Sequence, residues 1–366
     1  MKFKKPLLTS LFTFSLILAG CGNTETAKKA DRENIDKDED KLTVLTTIYP
    51  LEDFTKKIGG NYVDVKSIYP PNVDAHSFEP STKDMMALAD SDLFIYTGVG
   101  IEGFAEKATE SLTNENVAIL KAGDGIDLLK STHEHDHEDE GEHNHDEDGH
   151  THDEGDHIHD GDGHTDDEGE NDHDEESTEE HHEHEEHGHH HGDYDPHIWL
   201  DPILSIELAT NIKNSLIQLM PDHQSEFETN LEQLKGELVK LDEEYKTAIE
   251  NLKTKYLLVS HAAYGYWEER YGIEQIAIAG LSPTQEPTQK GLQSIIEESK
   301  EHQIQYVIFE QNLSTKVAEI IQKEIGAESL ILHNLEAITE ENLKQNDDYF
   351  SIMRRNLETI KKALNN

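Results

Sequence analysis

Residues 221–252 read PDHQSEFETNLEQLKGELVKLDEEYKTAIENL. Within them Phe227, Leu231, Leu234, Leu238, Leu241 and Tyr245 recur at alternating steps of four and three. With 3.6 residues per turn, that spacing gathers the apolar side chains on one face of a helix. About 30 residues at 1.5 Å each would span ~45 Å, longer than one small lobe. A helix of that length, standing between two blocks of another pattern, is well placed to connect them.

Both flanking blocks alternate strand and helix. Before the long helix, 42–48, 62–69, 92–96 and 117–120 read as strands, and 51–58, 82–89 and 101–112 as helices. Asp201-Pro202 then opens a helix running to about Met220, with Asp as N-cap and Pro at the first helical position. After the long helix, strands are expected at 256–260, 274–279, 305–309 and 329–332, and helices at 262–271, 287–302 and 314–325. A single closing helix is expected from Thr339 to about Leu364. Such alternation implies parallel sheets. The expected fold is therefore α/β, with two parallel-sheet lobes (42–220 and 255–366) joined by a long rigid connecting helix (221–254), and a ligand between them.

Composition narrows the partners. Over 366 residues the net charge is −47 and only 34% of residues are hydrophobic. Much of this comes from residues 131–192, which contain no Lys or Arg and hold 18 of the 24 histidines. That stretch cannot bury enough apolar area to offset ordering entropy, and it reads as a disordered insertion in the first lobe. The charge repels nucleic acid and favours cations. Runs such as His181-His182-Glu183-His184 and His187-Gly188-His189-His190-His191 suit weak, overlapping divalent-metal sites. The match of His133-Glu134-His135-Asp136-His137 to H-E-x-x-H is discarded, because that motif needs a helix to put both imidazoles on one face.

The N-terminus reads as a targeting segment. Lys2, Lys4 and Lys5 precede a short apolar stretch, 7–18, which ends in Leu18-Ala19-Gly20-Cys21. This looks like a lipobox, with 1–20 as signal peptide, Cys21 as the lipidated residue and 21–41 as a polar tether. Cys21 is the one cysteine, so no internal disulfide forms.

Ligands of open α/β sheets sit beyond the carboxyl ends of the strands. His76, in the loop after the second strand, His197, in Asp195-Pro196-His197-Ile198-Trp199-Leu200-Asp201-Pro202, His261, directly after a strand, and Glu310, directly after Phe309, are the candidates. Each taken singly has a bland reading, as a solvated histidine or a salt-bridge partner. Together, two from each lobe, they form a credible closed zinc shell of three imidazoles and one carboxylate. His223 and His302 read as surface residues. His333, also just past a strand, is the rival to Glu310.

The segments around His76 and His197, with Leu281-Ser282-Pro283-Thr284-Gln285-Glu286-Pro287, resemble the zinc branch of the metal-binding solute-binding proteins of ABC importers. The resemblance runs from about Leu42 to the C-terminus, apart from the insertion. It implies a rigid two-lobe fold, no enzymatic activity, Zn2+ as ligand, and delivery to a membrane permease powered by an ATPase. It further implies the metal-ligand pattern His76, His197, His261 and Glu310; with the lipobox-like sequence at Cys21, the expected place is the extracytoplasmic face of the cell membrane, held by a lipid anchor. Where some relatives carry an acidic residue just before the first histidine, this chain has Ala75. Competing readings are a manganese-type receptor, a surface adhesin or zinc buffer built on the His-rich tract, and a zinc-dependent surface hydrolase. The last needs an open metal position for water, which four protein ligands would not leave.

Overall fold

The computed structural model describes residues 41–130, 194–311 and 316–365. The readings made for 1–40 and 131–192 lie outside the described residues.

The first block contains β1 (Leu42–Thr46), α1 (Tyr49–Gly59), β2 (Val63–Ser67), α2 (Thr82–Ala89), β3 (Leu93–Tyr96), α3 (Ala105–Ser111) and β4 (Ala118–Lys121). Two long helices follow, α4 (Pro202–Leu219) and α5 (Gln224–Glu250). The second block contains β5 (Tyr256–His261), α6 (Gly265–Tyr271), β6 (Glu274–Ala279), α7 (Gln289–Glu301), β7 (Tyr306–Glu310), α8 (Lys316–Ile325) and β8 (Glu328–Leu332), closed by α9 (Glu340–Gln345) and α10 (Tyr349–Leu364). The strands pair in parallel in the order β2-β1-β3-β4 and, with the same topology, β6-β5-β7-β8. In each sheet the order reverses beside the first strand of the block, between β1 and β3 and between β5 and β7. That reversal opens a crevice at the carboxyl ends of the strands.

The long helix does more than link. Phe227, Leu231, Leu234, Leu238, Leu241, Tyr245 and Ile249 on one face of α5 are all buried. They pack against α1, α4 and α10. One hydrophobic core consequently runs from Val44 and Phe94 of the first sheet, through α5, to Leu257 and Val259 of the second. A smaller core under α7 and α8, built on Ile276, Ile278, Val307 and Ile321, covers the other face of the second sheet.

The single closing helix expected from Thr339 is two helices. Asn346 takes a left-handed conformation (φ 53°) and ends α9, and Asp348 caps α10 by accepting from the Ser351 amide at 2.9 Å. Asn tolerates φ > 0 better than most residues, and Asp is a strong N-cap, so Asn346-Asp347-Asp348 is a stop followed by a start.

The two ends of the 131–193 excursion meet. Lys130 and Tyr194 form an antiparallel bridge, and the Asp195 amide donates to the Leu129 carbonyl at 2.8 Å. The Tyr266 hydroxyl donates to the Asp195 carbonyl (2.8 Å) and accepts from the Leu129 amide (3.3 Å). The neck is thus closed by hydrogen bonds among residues 129, 195 and 266.

Candidate metal centre

The loop after β2 carries His76. Asp74 fixes it locally, accepting from the His76 amide (3.1 Å) and from Ser77 Oγ (2.5 Å). Tyr69, Phe78 and Phe104 anchor the same loop as an edge-to-face aromatic cluster. His197 does not lie at a strand end; it precedes a short 3-10 turn, Ile198–Leu200, that leads into α4. His261 is the last residue of β5, beside the crevice of the second sheet.

These three imidazoles converge, and the carboxylate that joins them is Glu336. One ligand atom from each of His76, His197, His261 and Glu336 lies within 4.8 Å of all the others. His197 Nε2 and His261 Nε2 are 3.4 Å apart, and His76 Nε2 lies 3.4 Å from Glu336 Oε1. All four residues are buried. Two nitrogens bound to one tetrahedral zinc at ~2.0–2.1 Å would lie ~3.3 Å apart, so the His197–His261 and His76–Glu336 spacings of 3.4 Å match that edge, and the wider pairs would draw together around a bound ion. Glu336 Oε1 is buried and faces only the His76 imidazole, at 3.4 Å, which leaves it placed to share a cation with that ring.

Glu310 is not brought into this cage. It accepts from His261 Nδ1, and is itself held by Ser260 Oγ (2.9 Å) and Asn334 Nδ2 (2.7 Å). Asp195 does the same for His197, accepting from Nδ1 at 2.8 Å and from the backbone amide at 2.9 Å. A carboxylate accepts only, so Nδ1 of each ring carries the proton and Nε2 turns its lone pair toward the centre. This carboxylate–histidine pairing orients rings for metal binding. The carboxylate expected directly after Phe309 therefore orients a histidine, and the one that faces the metal space was missed.

Glu336 sits four residues past β8. In the same loop, three residues before Glu336, lies His333, the candidate just past the end of this strand. That residue is turned away: Nε2 bonds Asn342 Oδ1 (3.0 Å) and Nδ1 accepts from the Leu335 amide (3.0 Å). Leu335 has φ 61°, a left-handed conformation unusual for a leucine, and this kink presents Glu336. His333 thus supports the turn without joining the cage. Trp199 supports it too, donating from Nε1 to the Asn334 carbonyl at 2.8 Å. Glu336 Oε2 accepts from the Ala75 amide at 3.2 Å, so the position before the first histidine meets this carboxylate through its backbone.

Electrostatics match a divalent cation. Burial lowers the His197 pKa and favours the neutral ring that a metal requires. Burial also opposes charge on His261, but Glu310 outweighs it and raises that pKa. Burial would raise Glu336, yet the surrounding His76, His261 and His197 bring it down to about 2. Three carboxylates (Glu336, Asp195 and Glu310) surround three imidazoles in a buried space. An enclosed excess of negative charge of this kind is best matched by a cation.

His333 yields a test of the turn. Burial pushes its pKa down from 6.5 to about 4. The unfolded chain binds that proton first, so the stability contributed by neutral His333 is present above pH ~6.5 and is lost as pH falls toward ~4. An NMR titration of the metal-free protein should find His333 neutral at pH 5; a midpoint near 6.5 would contradict the Leu335 hydrogen bond.

Two like-ordered parallel-sheet lobes that contribute two histidines, and one histidine with one carboxylate, to a single buried cage define a two-lobed metal-binding protein of the solute-binding type. The chain belongs to the family described as "Zinc-uptake complex component A periplasmic" (ZnuA), whose model matches residues 44–363. It is 36% identical over 324 residues to the zinc-binding protein AdcA of Streptococcus pyogenes serotype M3, covering 88% of this chain and 56% of that protein. It therefore spans little more than half the length of that relative. It is 33% identical over 350 residues to the high-affinity zinc uptake system protein ZnuA of Bacillus subtilis, covering 95% and 94% of the two chains. The crystal structure of the Zn(II)-bound ZnuA-like domain of Streptococcus pneumoniae AdcA superposes with a TM-score of 0.64 at 28% identity, covering 89% of this chain and all of that one.

Proposed function

We propose that this protein is an extracytoplasmic zinc receptor that captures Zn2+ in the His76, His197, His261 and Glu336 cage and delivers it to an ABC permease and its ATPase. The observation that carries this reading is the convergence of three imidazoles and one carboxylate, within 4.8 Å of one another, in a buried space between the two sheets. Four side chains complete a tetrahedral shell and leave no position for an activated water, so the site suits binding rather than hydrolysis. Nitrogen-rich ligation favours zinc over manganese. The lipobox-like sequence ending at Cys21 supports anchoring to the outer face of the cell membrane. The His-rich tract at 131–192, which ends a few residues before His197, supports an accessory role in collecting zinc near the cage.

A metal that binds only the folded state stabilises it by RT ln(1 + [L]/Kd), about 4 kcal/mol at a thousandfold excess over Kd. Thermal unfolding should therefore shift upward by many degrees with zinc, and far less with an equal concentration of manganese. Equal shifts for the two metals would defeat the zinc assignment. Copper is expected to compete in vitro, following the general affinity order of divalent metals.

A further inference from the structure

We infer that Gly265 of the second block is the seat of the Asp195 carboxylate, so that the aim of His197, a cage residue delivered by the first block, depends on a glycine across the cleft. The inference rests on the zinc-receptor reading for its affinity arm alone.

The Asp195 carboxylate is buried and its two oxygens have different surroundings. Oδ1 holds both the backbone amide and the Nδ1 proton of His197. Oδ2 lies over the first residue of α6: a methyl carbon built on Gly265 would come within 2.5 Å of it. No other atom outside the helix and the glycine's chain neighbours would come closer than 3.7 Å, and the two at that distance are Asp195 Cγ and Gln275 Nε2. The Gly265 backbone is not in the left-handed region, so alanine is conformationally acceptable there. The obstacle to a side chain at 265 is thus one carboxylate oxygen. A rigid carboxylate cannot withdraw Oδ2 without turning Oδ1, and Oδ1 is the atom that fixes His197. The neighbouring Tyr266 hydroxyl holds the Asp195 carbonyl at 2.8 Å, so the backbone of residue 195 cannot readily move away to relieve the clash. Two consecutive residues of α6 therefore clamp Asp195, one through close approach and one through a hydrogen bond. Contact between the blocks sets a metal-facing ring through this clamp.

The test uses the full chain with Gly265→Ala, Asp195→Asn, the double variant and Tyr266→Phe. Zinc is titrated against a chelator strong enough to strip weak sites, and the His197 ring nitrogens are followed by NMR in the metal-free protein. Loss of a carboxylate that orients a metal-binding histidine weakens affinity by about 10–100-fold, and that range is expected for Asp195→Asn. Gly265→Ala should weaken zinc by about tenfold and shift the His197 ring resonances. Its metal-free thermal unfolding should fall, because the displaced carboxylate gives up buried hydrogen bonds to His197; the shift of the His197 ring resonances, and its absence on the Asp195→Asn background, separate this from a general packing defect. If Gly265 acts only through Asp195, the double variant is no weaker than Asp195→Asn. Tyr266→Phe, which loses only the hydroxyl, should move the same His197 resonances and tests the other half of the clamp; should Gly265→Ala fail to fold, Gly265→Ala on the Asp195→Ala background, which removes the blocking oxygen, should restore folding, and failure there would overturn the inference. Parental affinity and parental ring signals in Gly265→Ala, or a double variant whose loss is the product of the two single losses, would overturn the inference. If the parent chain binds no zinc tightly, the receptor reading fails, and the metal-free ring resonances alone decide the role of Gly265.

Discussion

Zinc affinity should fall by more than about 100-fold when His197 is replaced by alanine in a chain lacking residues 131–192, because an imidazole facing the metal matters more than the groups that orient it. Removing the tract clears its weak sites from the titration. The hydrogen bonds that close the neck at residues 129, 195 and 266 should let the shortened chain keep its cage. The two carboxylates should then separate in rank. Glu336→Gln removes the anionic group that, among the described residues, faces the three imidazoles, and should approach the His197→Ala loss. Glu310→Gln disturbs only the partner of His261 Nδ1 and should cost about 10–100-fold. A ranking with Glu310 above Glu336 would return Glu310 to the cage and displace Glu336. Undiminished binding by His197→Ala would remove the cage from zinc capture altogether.

Trp267→Ala should lower the stability of the metal-free protein by about 3–5 kcal/mol. The indole is fully buried between Tyr264 and Tyr245, with ring centroids at 4.8 and 5.6 Å. Its Nε1–H donates to the Leu200 carbonyl at 2.8 Å, tying α6 to the turn after His197. Truncation opens a large cavity and also leaves a buried carbonyl without its donor. Urea unfolding reads the loss as a lower midpoint, and Trp267→Phe should recover most of it by filling the space. A loss below about 1 kcal/mol in the alanine variant would mean that this indole is not packed as described.

Much of the fold was legible because its signals are local. The spacing from Phe227 to Tyr245 gives α5 whatever the rest of the chain does. Asp201-Pro202 starts α4, and β-branched runs mark the strands. Where two local signals competed, the reading failed: the apolar pattern from Thr339 onward hid the stop at Asn346 and the start at Asp348. Among the cage residues, His76, His197 and His261 could be found because imidazoles are scarce outside the tract and fall in distinctive loops. Glu336 could not be found in that way. Acidic residues are abundant in this chain, and several follow strands.

By itself, then, the sequence determined the alternation of elements, the long helix between two blocks, the excess of metal-competent side chains and the three histidines. Hydrophobic periodicity, capping and composition act over a few residues and need no knowledge of what lies across the molecule. Only the tertiary structure decided which carboxylate faces the metal and which stands behind a ring. Glu310 and Glu336 are 26 positions apart and chemically identical. Their roles differ because the last residue of β7 points at His261 Nδ1, whereas the left-handed turn at Leu335, held by His333 and Trp199, swings Glu336 into the cage. That choice depends on contacts such as Glu310–His261, 49 positions apart, and Trp199–Asn334, 135 positions apart, and no local pattern encodes it.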